Sequence, residues 1–188
     1  MSNLITRTTE LAMSVTLTYI NPGDTVVDAT CGTGQDTVVL ARAVGSAGSV
    51  YAFDIQKNAH LLTEARLKSH GFTNVHLVMQ SFVSMSEHIP ERSAAAVVFN
   101  LGYLPGGDHS ITTTADTTLK GLECALKTIR PGGIVTVVMY DGHNEGAEEK
   151  AAVLEWAEAL DQSRYHVAYV SLLNQKNHPP EILWITRK

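Results

Sequence analysis

A doubly wound α/β fold, built on a mostly parallel sheet of seven strands with helices on both faces, is what the amino-acid sequence predicts. Three observations carry that expectation. Short β-branched apolar runs alternate with longer amphipathic stretches, the pattern of strands buried on both sides and joined by helices. A turn with two glycines, CGTG at 31–34, leads from the first run into the amphipathic stretch that follows it. The last two apolar runs are separated only by NQKNHPP, which leaves no room for a crossover helix, so they predict an antiparallel hairpin at one sheet edge.

In chain order, 4–20 reads as a helix closed by the turn signal NPGD. TVVDA (25–29), SVYAFD (49–54), VHLVM (75–79), AAVVFN (95–100) and IVTVVMY (134–140) are the expected parallel strands. DTVVLARAV (36–44), NAHLLTEARLKSH (58–70), TTLKGLECALKTI (117–129) and EEKAAVLEWAEALD (148–161) are the expected helices. YHVAYVSLL (165–173) and EILWITR (181–187) form the terminal hairpin. Right-handed crossovers distribute the helices over both faces of the sheet.

A chain of 188 residues predicts one domain spanning 1–188 with a sufficient core of its own. Its 44% hydrophobic and 18% charged residues, without low-complexity blocks, fit a globular protein rather than a disordered or fibrous one. No apolar run approaches the ~18 residues of a membrane span, and MSNLITRTTELAMSV lacks a continuous signal-peptide core. A cytoplasmic location with no membrane partner is therefore expected. Cys31 and Cys124 have neither a C-x-x-C partner nor metal-ligand spacing, and no His pair forms H-E-x-x-H, so neither a disulfide nor a metal site is expected. The net charge of −5 argues against a general nucleic-acid binder while permitting a local basic face.

The loop VVDATCGTGQD carries the first chemistry. Gly32 and Gly34 permit tight turns and close approach of a ligand, and the helix behind them presents unpaired N–H groups. A strand-to-helix turn without a ligand would use the same residues. Asp54 ends the next strand about 20 residues on, where a carboxylate can accept both hydroxyls of a ribose. Asp54 would equally serve as a helix cap near Lys57. Ile55 and Gln56, which follow it, join the candidate nucleoside-binding set.

A dinucleotide site needs a small third residue where this chain has Thr37, and its loop instead holds Asp28, Thr33, Gln35 and Asp36. Carboxylates repel a pyrophosphate and suit a ligand with an ammonium and a sulfonium, so the expected cofactor is S-adenosylmethionine. Ser81 and Phe82, past the third strand, are candidates to bond and to pack against its adenine; a plain turn with a core aromatic would read the same way.

D-x-x-C-G-x-G, the acid of FDIQ, an Asn ending the fourth strand and the terminal hairpin together resemble the Rossmann-like S-adenosylmethionine-dependent methyltransferases. VFNLGYLPGGDHSITT, EG-x-x-EK-x-x-VLEW from Glu145 to Trp156, and NQKNHPPEILWI resemble more closely a bacterial family labelled putative rRNA methylase. That resemblance implies a tRNA substrate held at its anticodon region and methylation of the amino group of 5-aminomethyl-(2-thio)uridine 34. The chain departs from the family pattern at Thr33 and Gln35, where Asn and His are common. It departs again at His109, where Lys is frequent, and at Asp141, where His is usual.

In amino-directed methyltransferases the equivalent loop reads N-P-P-Y; here N-L-G-Y offers Asn100 and the Leu101 carbonyl to accept the amine hydrogens, and Tyr103 to stack. Asn100 also borders the cofactor. His143 is the candidate base whose ordinary pKa lies nearest neutrality, with Asp141 and Asp108 as alternatives. His143 and Tyr140 would also be unremarked residues of a turn after the fifth strand. Tyr103, Asp108, His109 and Ser110, with Asn177 and His178 of NQKNHPP, are the candidate substrate contacts; an ordinary capped loop would use the same residue types. Competing readings are a small-molecule N- or O-methyltransferase, an rRNA methyltransferase, a non-catalytic cofactor-binding module and, least favoured by the acidic loop, a dehydrogenase. Leu4, Ile5 and Leu11 are placed to line a homodimer contact or to cap the cofactor site, and the sequence does not choose between them.

Overall fold

The computed structural model describes residues 7–102, 113–140, 144–176 and 179–188. Buried β-branched runs become strands β1 (Thr25–Asp28), β2 (Ser49–Phe53), β3 (Val75–Val78), β4 (Ala94–Asn100) and β5 (Ile129–Met139), all mutually parallel. β6 (Tyr165–Val170) and β7 (Glu181–Arg187) form the expected hairpin, and β7 also runs antiparallel to β5. The strand order is β3-β2-β1-β4-β5-β7-β6. The second arm of the hairpin thus lies inside the sheet and the first is the edge. The order reverses between β1 and β4, and a crevice opens beyond the carboxyl ends of the strands at such a switch point.

The helices are α1 (Thr8–Leu17), α2 (Gln35–Val44), α3 (Lys57–His70), α4 (Met85–His88), α5 (Ala115–Thr128) and α6 (Asn144–Glu158). Alternate strand residues feed opposite layers. Val27, Val97 and Phe99 pack with Phe82, Leu122 and Val153 on the α4–α6 side. Val26, Val50, Ala96 and Val98 pack with Met13, Leu40 and Val44 on the other. Thr16 anchors α1 to the sheet: its buried hydroxyl bonds Ala12 O at 2.8 Å and shares a 2.6 Å hydrogen bond with Thr136 Oγ of β5.

Several boundaries differ from the sequence reading for identifiable reasons. β5 begins at Ile129, because Ile129 pairs with Ala94 before the register slips to Ala96 opposite Ile134. The Arg-Pro-Gly-Gly segment between them takes up the slack, with Gly132 at φ +74°. A 3-10 turn (Phe82–Ser84) and α4 occupy the β3–β4 connection, where no stretch is long enough to display a helical period. Leu11 packs beside the Ala12, Val138 and Ile182 cluster within the chain, while Leu4 and Ile5 lie outside the described residues. Among the described residues no helix is long and apolar enough to cross a membrane.

Candidate active site

Three adjacent strand ends build the site. After β1, Cys31 N–H donates to Phe53 O at 2.9 Å, and Gly32 N–H donates to Asp54 Oδ2 at 3.1 Å. These two bonds fasten the glycine loop across the end of β2. Gly32 and Gly34 adopt φ +50° and +77°, the left-handed region that glycine occupies without strain. Gly34 is required for a second reason: a Cβ there would stand 2.8 Å from Thr63 Oγ and 2.9 Å from its methyl carbon on α3. The loop carbonyls are held from that same helix, Gly32 O by Thr63 Oγ at 3.0 Å and Thr33 O by Arg66 Nε at 2.8 Å. With its carbonyls taken by α3, the loop delivers the first turn of α2, Gln35 and Asp36 included, with N–H groups that lack helical partners.

Asp54 uses both carboxylate oxygens inside the protein, Oδ2 on Gly32 and Oδ1 on Gln56 N–H at 2.9 Å. The residue at the cap position of α3 is Gln56, so Asp54 is not the helix cap that its position allowed. A carboxylate offers about four lone-pair sites; two are left to accept hydroxyls of a nucleoside. Ile55 beside it exposes 57% of its surface, an apolar face at the rim. The Ser81 hydroxyl accepts the Val83 N–H at 3.5 Å and caps the 3-10 turn. Phe82 corrects the expectation of an adenine-facing ring. It is only 8% exposed, stands edge-on to Phe99 with centroids 5.4 Å apart, and fills the space a Cβ on Gly121 would need. The alternative reading, a core aromatic after a turn, is the one its burial supports.

Between β1 and β4 runs a chain of hydrogen bonds that ends on Asn100. Fully buried Asp28 accepts Thr37 Oγ at 2.6 Å and Thr30 N–H at 3.3 Å. Thr30 Oγ in turn accepts the Asn100 N–H at 2.7 Å, and Asn100 Nδ2 donates to Asp36 Oδ2 at 2.6 Å. Burial first, then the charge of Asp36, pushes the Asp28 carboxyl up to about 7 against the bonds from Thr37 and Thr30. Burial also raises Asp36, and the Asn100 hydrogen bond works against it. Tyr140, at the end of β5, is raised by burial and by Asp36, which places it within the field of the same carboxylate. The Cys31 thiol is held far above its ordinary range by burial and by Asp28, so it is an inert packing group.

Leu101 is buried and its N–H donates to Val138 O at 2.9 Å, while its carbonyl accepts no hydrogen bond among the described residues. Gly102 N–H bonds Thr113 Oγ at 3.0 Å, Thr113 N–H returns to Gly102 O at 3.4 Å, and Thr113 Oγ donates to Glu149 Oε2 at 2.9 Å. Glu149, buried on α6 and raised by burial, also takes the Thr118 hydroxyl at 2.6 Å. Gly102 and Thr113 are therefore clasped to each other and, through Glu149, to α6 and α5. Tyr103, Asp108, His109, Ser110, Asp141, His143, Asn177 and His178 lie outside the described residues.

Of the expected site residues, the structure brings Asp28, Gly32, Thr33, Gly34, Gln35, Asp36, Asp54, Asn100 and Leu101 to one rim and turns Phe82 away from it. Sequence reasoning missed Thr30, Thr37, Thr113 and Glu149. Glu149 carried a signal: it stands four residues before Val153, on the stripe that α6 buries. The acidic loop and the spare acceptor capacity of Asp54 fit S-adenosylmethionine, whose cationic end suits carboxylates and whose ribose suits Asp54.

The model of the family described as Putative rRNA methylase matches residues 50–186 of the chain, and that of protein-L-isoaspartate(D-aspartate) O-methyltransferase matches residues 2–81. The chain is 38% identical, over 97% of its own length and 70% of the relative's, to the tRNA (mnm(5)s(2)U34)-methyltransferase, chloroplastic, of Arabidopsis thaliana. It is 31% identical to the demethylmenaquinone methyltransferase of Anoxybacillus flavithermus, over 62% of this chain and 44% of that protein. The crystal structure of an rRNA methylase of the same description from Clostridium thermocellum superposes with a TM-score of 0.94 at 40% identity, covering 96% of this chain and 97% of that one. A methyltransferase from Streptococcus mutans in complex with SAH superposes with a TM-score of 0.88 at 32% identity, covering 97% and 98%.

Proposed function

The chain belongs to the Putative rRNA methylase family of S-adenosylmethionine-dependent methyltransferases, and from that premise we propose that it works as one cytoplasmic domain to N-methylate the 5-aminomethyl group of uridine 34 in tRNA. The observation that carries the proposal is Asn100. It stands at the carboxyl end of β4, beside the glycine loop, with its amide N–H directed at Asp36 and its Oδ1 without a hydrogen-bond partner among the described residues. A free carbonyl oxygen at that place suits an acceptor that brings N–H donors, as an alkylamine does. The 38% identical relative named for mnm(5)s(2)U34 supports the same substrate.

S-adenosylmethionine supplies an electrophilic methyl group when bound. The chain's own residues then have to align a neutral amine. Asn100 Oδ1 and the Leu101 carbonyl accept its two hydrogens and fix the direction of its lone pair; alignment of this kind is worth several kcal/mol of barrier, on the order of 7 or more at best. An alkylamine arrives mostly protonated at pH 7, and the carboxylate of Asp36 favours that cation. Desolvation in the crevice works the other way and promotes loss of the proton before attack. Asp54 holds the ribose, and the first turn of α2 with its acidic residues faces the cationic end of the cofactor.

Nucleoside mass spectrometry of tRNA from a strain lacking the gene tests the proposal. The 5-aminomethyl-type uridine should accumulate at position 34 and its methylated product should vanish. Unchanged tRNA, with a methyl group missing instead from rRNA or from a small molecule, would overturn it.

A further inference from the structure

We infer that Asp36 is a positioning residue of the methylation step: its carboxylate locks the Asn100 side chain with the NH2 group turned inward and the carbonyl oxygen turned to the acceptor. The inference rests on the amine-binding reading of Asn100 and assigns Asp36 a duty beyond cofactor contact.

The contact itself dictates the orientation. Asn100 Nδ2 and Asp36 Oδ2 are 2.6 Å apart. With the amide reversed, two acceptor oxygens would face each other at that distance, which an ionised carboxylate does not tolerate. The main chain is fixed independently, since Asn100 N–H is held by Thr30 Oγ at 2.7 Å. The bond to Thr30, in the turn after β1, fixes the main chain, the bond to Asp36 on α2 fixes the side chain, and the charge of Asp36 decides which way the amide faces. Neither bond touches Oδ1, so the acceptor oxygen is reserved.

In this half-buried place the Asn100 hydrogen bond favours the Asp36 anion while burial opposes it. Asp36 lies in the first turn of α2, where the helix dipole favours a negative charge. No lysine or arginine pairs with it among the described residues, so its charge is spent on Asn100 and on the cation that approaches. Among the described residues the titratable groups that face it are Asp28 from β1 and Tyr140, just past the end of β5. Both oppose its ionisation when charged, and burial raises its pKa further. Protonation would turn Asp36 into a donor, free the amide to flip and consume Oδ1. Turnover should therefore fall as pH drops through the raised pKa of Asp36.

Asp36→Asn tests the lock, because an amide can donate to Asn100 or accept from it and so imposes no single orientation. On 5-aminomethyluridine tRNA the variant should lose at least tenfold in kcat, and the acid limb that remains in its pH profile should be that of the amine alone. Its calorimetric affinity for S-adenosylmethionine should fall by a smaller factor than its kcat, because only the charge facing the cationic end of the cofactor is lost there. In an Asn100→Ala background the same substitution should cost less than a further twofold, since its action passes through Asn100. In NMR spectra, the side-chain amide signal of Asn100, identified by its absence from Asn100→Ala, should shift in Asp36→Asn and titrate with pH in wild type. Equal losses of cofactor affinity and turnover, or multiplying effects of the two substitutions, would overturn the inference. If wild-type protein fails to methylate that tRNA, the functional reading falls; an amide signal that neither shifts nor titrates sinks the lock by itself.

Discussion

The carboxylate of Asp54 accepts the N–H of Gly32 at 3.1 Å, and through that bond the end of β2 fixes the glycine loop that follows β1. The other oxygen holds Gln56 N–H at 2.9 Å, so the carboxylate is oriented before any ligand arrives. Hydrogen bonds to a charged acceptor contribute roughly 1.5–3 kcal/mol each. Asp54→Ala should therefore weaken S-adenosylmethionine binding by at least about tenfold in calorimetry. An unchanged affinity would reduce Asp54 to a loop fastener.

Asn100→Ala separates acceptor alignment from cofactor binding. Asn100 joins the rim through its own backbone N–H and through Asp36, and the glycine loop is tied down by Thr63, Arg66 and Asp54 without it. Cofactor affinity should stay within about threefold while kcat drops by at least about tenfold, the signature of a lost interaction made in the reacting complex. Steady-state kinetics with wild-type turnover in this variant would remove Asn100 from the chemistry.

How much of this could be read from residues alone depends on the range of each interaction. The parallel strands were legible because burial on both faces concentrates Val, Ile and Ala in short runs. The hairpin was legible because seven linking residues exclude a crossover helix. Asp54 and Asn100 were legible because the fold sets both at strand ends, at fixed offsets from the glycine loop. The partner of Asn100 was not, since Asp36 lies 64 residues away and no local pattern links them. Phe82 was misdirected for a related reason: one 3-10 turn decides whether its ring faces the rim or the core, and three residues display no period. The clasp between Thr113 and Glu149 joins residues 36 apart on different elements, so only the odd placement of an acid on the buried stripe of α6 hinted at it.

Asp28 should leave a mark on stability as pH changes. Its carboxyl titrates at about 7 in the fold against an ordinary value of 3.8, because burial, and then Asp36, disfavours the anion. In the unfolded chain the proton leaves near the ordinary value. Between the two pKa values the folded state therefore binds more protons, and stability is fully present below about 4 and lost as pH rises to about 7. Asp28→Asn keeps an acceptor for Thr30 N–H and a partner for the Thr37 hydroxyl but cannot ionise. Urea unfolding at pH 5 and pH 8 should show wild type losing at least about 1 kcal/mol more than this variant. Identical pH dependence in the two proteins would show that Asp28 ionises as freely in the fold as outside it.

Gly34→Ala tests whether the loop is shaped by sterics or by the ligand. Two independent costs should appear without cofactor. A left-handed φ of +77° disfavours any side chain by about 1–2 kcal/mol, and the new methyl would press on Thr63 at 2.8–2.9 Å. Thr63→Ala relieves most of the second obstacle, leaving its Cα at 3.0 Å, and none of the first, and it also gives up the 3.0 Å bond to Gly32 O. Urea unfolding should find Gly34→Ala destabilised by about 2 kcal/mol or more. In a Thr63→Ala background the same substitution should cost about 1 kcal/mol less, because the two changes share one contact. Equal costs in both backgrounds would mean that backbone strain alone keeps glycine at this position, and that Thr63 plays no part in closing the loop against α3.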